Sequence, residues 1–138
     1  MKLSLLEYQK KIEEFVNTLG SEIISAIPDG WKNAVAAYFV TEGLGAEHVK
    51  LCINTNNPET FRDLTEESWL NDEYDDIILE IQELFRQLRE SSIDMGDVWS
   101  HATLILHPNK AFSIDFEYEA IKEFDSNFLQ NWKNNYAQ

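Results

Sequence analysis

Residues 99–119 read WSHATLILHPNKAFSIDFEYE. Two runs rich in β-branched and aromatic residues, 99–107 and 111–119, flank Pro108-Asn109-Lys110, residue types that reverse a chain. In the second run Phe112, Ile114, Phe116 and Tyr118 alternate with Ser113, Asp115, Glu117 and Glu119. A strand with that period sets the first row on a core and the second toward water. The stretch is a β-hairpin with one wet face, so the sheet around it needs a cover on the other.

Working outward, a second pair of strands lies upstream. AVAAYFV (34–40) and HVKLCIN (48–54) are joined by TEGLGAE, whose glycines suit a hairpin loop. The first of these runs lacks clean alternation, which predicts burial on much of both faces. Between the hairpins, residues 72–89 place Ile77, Ile78, Ile81, Leu84, Phe85 and Leu88 within an arc of about 120°, the mark of an amphipathic helix. Asp72, Asp76, Glu83 and Glu90 fall on the opposite side, with Glu80 at its edge. Asp72, Glu73, Asp75 and Asp76 crowd the positive end of the helix dipole, and Arg86 and Arg89 suit the other pole.

Two more helices complete the chain. Leu5, Tyr8, Ile12, Phe15, Val16, Leu19, Ile23 and Ile27 form one stripe over 5–27, and Ser4 with Glu7 has the form of a capping box. Gly20 weakens that helix by about 1 kcal/mol relative to Ala, and Pro28-Asp29-Gly30 ends it. Phe124, Phe128, Trp132 and Tyr136 recur every fourth residue along a last helix from about 127. Residues 56–70 have no clear period; Asn57-Pro58 suits the cap of a short helical turn and the rest reads as loop. The order α-β-β-α-β-β-α predicts a single α+β domain over 1–138. Its expected form is a four-stranded, mainly antiparallel sheet with the helices packed on one face.

Length and charge narrow the function. A chain of 138 residues carries one core. Its net charge of −14 is unevenly placed: residues 56–97 hold 13 acidic and 3 basic side chains, while the segments before and after carry only −2 each. Such a surface repels nucleic acid and anionic lipid and draws a basic partner with a salt-sensitive rate. The start, MKLSLLEYQKKIEE, is too charged for a signal peptide, and no apolar run approaches the roughly 18 residues of a membrane helix. Cys52, alone and in an apolar stretch, suits a reduced compartment. These features predict a soluble cytoplasmic protein.

Catalytic patterns are weak. Cys52 reads as a small buried hydrophobe, and no glycine-rich phosphate loop or G-x-S-x-G elbow is present. His101 and His107, six apart on a strand, are separated by roughly 20 Å, and His48 lies on another strand, so no metal site is expected. Asp115 and Glu117 sit roughly 6 to 7 Å apart, a distance at which carboxylates can work as a pair, yet any amphipathic strand gives that spacing. A solvated face outweighs an enzyme, and no cofactor is expected.

Three segments in order resemble the YezG-type immunity proteins of bacterial polymorphic toxin systems. They are IPDGW (27–31), the acidic stretch and helix at 69–88, and W-S-x-x-T-L-x-L followed by F-S-I-D-F-E-Y-E at 99–119. The family often has glycine in the last hairpin, where this chain has Asn109-Lys110-Ala111, and Asn tolerates the positive φ such a turn requires. The resemblance implies a cytosolic antitoxin that binds and blocks a delivered toxin, commonly a nuclease, with no direct binding to nucleic acid or membrane. A nuclease cleft is basic, so an acidic inhibitor can occupy its field. The expected contact surface is Trp69, Asp72, Glu73, Tyr74, Asp75, Asp76, Glu80 and Glu83, with Asp115 and Glu117 as a second candidate. The expected assembly is a monomer or weak dimer that meets the toxin domain. An acidic adaptor for a basic protein unrelated to toxins is the alternative.

Overall fold

The computed structural model describes residues 4–28, 30–43, 45–54, 61–67, 72–107, 109 and 111–137. Helix α1 (Leu5–Ala26) starts at the predicted capping box: the Ser4 side chain accepts from the Glu7 N–H at 3.1 Å and Glu7 Oε1 accepts from the Ser4 N–H at 3.2 Å. Strands β1 (Asn33–Val40) and β2 (Glu47–Asn54) follow as the first hairpin, with Gly43 and Gly45 at positive φ in the loop. The short β3 (Arg62–Asp63) and α2 (Leu64–Glu67) lead to a 3-10 turn at Asp72–Tyr74 and to α3 (Asp75–Asp94). Strands β4 (His101–Leu106) and β5 (Ser113–Glu117) form the second hairpin, and α4 (Ser126–Tyr136) closes the order. Asn109 Oδ1 accepts from the Ala111 N–H at 3.0 Å in the turn before β5. Pro108 and Lys110 of that turn, and the Asn57-Pro58 cap, lie outside the described residues.

The sheet has five strands in the order β3-β2-β1-β4-β5, all paired antiparallel, rather than the four expected. The extra strand pairs Arg62 with Ile53 and Asp63 with Cys52. Two residues are too few to carry a period, so local pattern could not mark them. Side-chain chemistry holds them instead. Asp63 Oδ1 accepts from the Thr65 and Glu66 N–H groups, both at 3.1 Å, which starts α2, while Oδ2 meets Lys50 Nζ at 3.0 Å.

The helices do not share one face, as the sequence led us to expect. Ala34, Ala36 and Tyr38 of β1 point into a core with α1 and α3, built on Leu19, Ile23, Ile81 and Phe85. Val35, Ala37 and Phe39 point the other way, into a second core with Trp132, Phe128 and Leu129 of α4. All six residues of 34–39 are at most 2% exposed, so β1 is sealed on both sides and a layer on each side is required. The fold is a helix–sheet–helix sandwich.

Two departures follow from where partner elements stop. Tyr8 donates to Asp97 at 2.7 Å and shares a 2.6 Å hydrogen bond with Ser92, which also accepts from the Trp99 indole at 2.9 Å. This knot joins α1, α3 and the entry to β4. It carries α3 on to Asp94, so Arg86 and Arg89 stand well inside the helix rather than at its pole. Leu5, one turn outward from Tyr8, outruns the helix pairing and is exposed. Tyr118, expected in the core row of the last strand, is 57% exposed and donates to Asp97 at 2.6 Å. Phe112, Ile114 and Phe116 pack on the first core as that row predicts.

Gly20 has a positive use. A Cβ there would sit 2.7 Å from two ring carbons of Phe112 and 3.2 Å from Leu106 Cδ2. Gly20→Ala is therefore expected to destabilise by about 1 kcal/mol or more through overpacking, against the gain its helix propensity alone would bring. In a Phe112→Ala background the same change should stabilise. Urea unfolding of the four proteins checks this, and a stabilising Gly20→Ala in the otherwise unchanged chain would refute the close packing.

Candidate functional site

The acidic face belongs to α3 and the turn before it. Asp72, Glu73, Asp75, Asp76 and Glu83 are exposed and Glu80 is half-buried. Tyr74 is not on that face: it is 4% exposed and packs into the first core. Trp69 lies outside the described residues. Asp76, Leu79, Glu80, Gln82, Glu83 and Arg86 form one open patch on the outer surface of α3, with Leu79 62% exposed within it. Burial, and then the charge of Glu80, hold the Glu22 carboxyl of α1 above its usual range, so the negative field reaches across to the neighbouring helix.

The arginines of α3 leave that field largely intact because they are committed elsewhere. Arg86 grips Glu47 of β2 through Nε at 3.0 and 3.1 Å and through a terminal nitrogen at 2.9 Å, and reaches Glu83 at 2.9 Å. Tyr38 donates to the same Glu47 carboxylate from beneath. Hydrogen bonding to Arg86 holds the Glu47 carboxyl below its usual range, against burial. Arg89 donates to the Trp99 carbonyl at 3.0 Å and lies 5.9 Å from the centre of the indole ring. Both cations therefore tie α3 to the sheet. In its first half, Asp75 and Asp76 face solvent, Glu80 is half-buried, and exposed Glu83 shares Arg86 with Glu47.

Asp115 and Glu117 lie in the other layer. Both are exposed on the face of β5 that turns toward α4, opposite Thr103 and His101 in the β4 register. They are separated from the α3 face by the thickness of the sheet. Burial, followed by the charges of Asp115 and Glu117, pushes the Tyr136 hydroxyl up to about 12. Around them the second layer is pinned by Trp132, whose indole donates to Thr103 Oγ1 at 3.0 Å. On the far side of α4, Lys133 lies 3.4 Å and Lys50 3.0 Å from the same Asp63 carboxylate oxygen. Burial would raise the Asp63 carboxyl, but bonds from Thr65 and Lys50 outweigh it and hold it below its usual value. Cys52, buried beside this group, has its thiol pushed up to about 12 by burial, which leaves it a poor nucleophile.

With this geometry in place, comparison with known proteins decides the family. Residues 12–137 match the model of the YezG-like immunity proteins. The chain belongs to the YezG-like immunity protein family. A curated relative, the immunity protein YezG of Bacillus spizizenii, is 28% identical over 124 residues, spanning 80% of this chain and 71% of the relative. For this YezG-like chain, membership points to toxin neutralisation. No described helix is long and apolar enough to cross a membrane.

Sequence reasoning missed the second layer's polar seat. His48 stacks on Phe124 with ring centres 4.1 Å apart, and His101 packs against Phe39 and Phe128 at 5.3 and 5.7 Å. Burial lowers both imidazole pKa values, for His101 against the pull of Glu117. The unfolded chain thus binds these protons more readily than the folded one, and stability falls as pH drops below the ordinary value of 6.5. That loss should begin below 6.5 and run on as the pH falls through the lowered folded-state values of His48 and His101. Urea midpoints measured across the window should decline in the unaltered protein and decline less in His101→Phe. An unchanged slope in the variant would place the sensitivity elsewhere.

Proposed function

We propose that this protein is a cytoplasmic immunity protein that binds a cognate toxin domain, of nuclease type, and blocks it with the acidic face of α3. The observation that carries the reading is the one-sided charge of that helix and the turn before it, where Asp72, Glu73, Asp75, Asp76, Glu80 and Glu83 outnumber two arginines that are themselves engaged with the sheet. A nuclease cleft offers Lys and Arg to phosphate, and an acidic face competes for the same groups. Leu79, exposed between Asp76 and Glu80, supplies an apolar centre within the charged rim. Asp115 and Glu117 form a second acidic surface that the same partner can reach only around the edge of β5. The protein acts as an inhibitor without chemistry of its own.

Cells expressing the toxin domain encoded beside this protein should survive when the protein is co-expressed, and the two chains should co-purify. Charge reversal by Asp76→Lys with Glu80→Lys should slow association roughly tenfold or more, the range in which electrostatic steering acts. The unaltered rate should fall steeply with salt. Protection that survives with an unchanged association rate would move the contact off α3. Failure to protect or to bind would remove the toxin reading.

A further inference from the structure

The cleft between α4 and the β4–β5 hairpin differs in kind from the open α3 face. It encloses about 630 Å³ between Phe128, Trp132 and Tyr136 on the helix side and His101, Glu117 and Glu119 on the sheet side. Aromatic walls and carboxylates therefore face one another across a hollow large enough for a long side chain. Asp115, two residues from Glu117 on the same face of β5, extends the negative wall toward Tyr136. Burial, and after it the charges of Asp115 and Glu117, raise the Tyr136 hydroxyl. His101 is kept neutral by burial and adds no competing charge, and Lys122 is the one cation among the lining residues.

A flat cation fits this wall chemistry better than a compact one. A guanidinium stacks on an aromatic face and at the same time donates two parallel hydrogen bonds to a carboxylate in its own plane. An ammonium is held more strongly by water and lacks the planar fork. We propose that this cleft receives an arginine side chain of the partner protein, with its guanidinium against the aromatic wall of α4 and paired to Glu117. The identity of the partner as a toxin rests on the function proposed above; the chemistry of the pocket does not.

The test uses the full chain and the peptide acetyl-Gly-Arg-Gly-amide, followed by ¹⁵N NMR. Trp132 is the reporter, because its indole N–H is held on Thr103 at one edge of the cleft. A saturable shift centred on Trp132 and Tyr136 is expected. It should weaken roughly tenfold in Glu117→Gln, the size of one charged hydrogen bond, and weaken also for the lysine peptide. Glu117 is exposed, so that variant should keep the remaining spectrum unchanged. No saturable shift at Trp132, equal affinity in Glu117→Gln, or shifts confined to α3 would each overturn the pocket. The titration needs no toxin, so it fails separately from the protection assay. A toxin that binds the unaltered chain and Glu117→Gln alike would overturn the assignment of the pocket to that partner.

Discussion

Everything in this domain answers to the burial of β1. Six consecutive residues, 34–39, are cut off from water on both faces while the strand pairs with β2 on one side and β4 on the other. A strand sealed in this way has no side left for solvent, so its neighbours must bring two covers. The α1–α3 pair supplies the thicker cover, with Phe85 set between Phe15 at 4.8 Å and Tyr38 at 5.7 Å. Helix α4, far shorter, supplies the other with a cluster of rings around Phe39. The small residues of β1 (Ala34, Ala36 and Ala37) let large side chains from the covers approach the sheet closely.

The two covers are fastened differently, and the difference bears on function. Helix α3 is held by a broad apolar stripe, and polar fastenings to other elements lie in its second half, at Arg86, Arg89 and Ser92. Its first half takes no cation from the sheet, and its carboxylates at Asp75 and Asp76 are exposed. Helix α4 buries less and relies more on single polar contacts, Trp132 to Thr103 and Lys133 to Asp63. A lightly fastened cover over a sheet with exposed carboxylates leaves a gap at its margin. The cleft at Glu117 is that gap.

Much of this was legible in the chain because periodicity reports burial. The stripes of α1 and α3 and the alternation of β5 map onto the first core, except at Leu5 and Tyr118. The missing piece, the second layer, was half-written in AVAAYFV: a run apolar at both parities asks for two covers, and the ring row of Phe124, Phe128, Trp132 and Tyr136 was available to give one. Strand β3 was out of reach, since two residues hold no period and its pairing is fixed by Asp63, a contact made across the chain. The acidic candidates were picked out by charge, but charge could not tell that Tyr74 points inward. An aromatic beside carboxylates reads as an anchor in sequence and turns out to be core, because a residue at the start of a helix is placed by the turn before it.

Net charge is a poor guide to which surface meets a partner. A domain of this length has a radius of gyration of about 14 Å, while screening at physiological salt acts over about 8 Å. The α3 carboxylates and those of β5 lie on opposite sides of the sheet, so their fields are felt separately by anything docking on one side. A charge of −14 thus divides into local surfaces with different capacities. The convex helix face can raise encounter rate with any basic body, since its groups are hydrated and repeat along the helix. The cleft sets aromatic rings opposite carboxylates, an arrangement that suits a planar guanidinium better than a compact ammonium. Selecting one basic partner over another takes a difference in fit between the two, which summed charge alone does not provide.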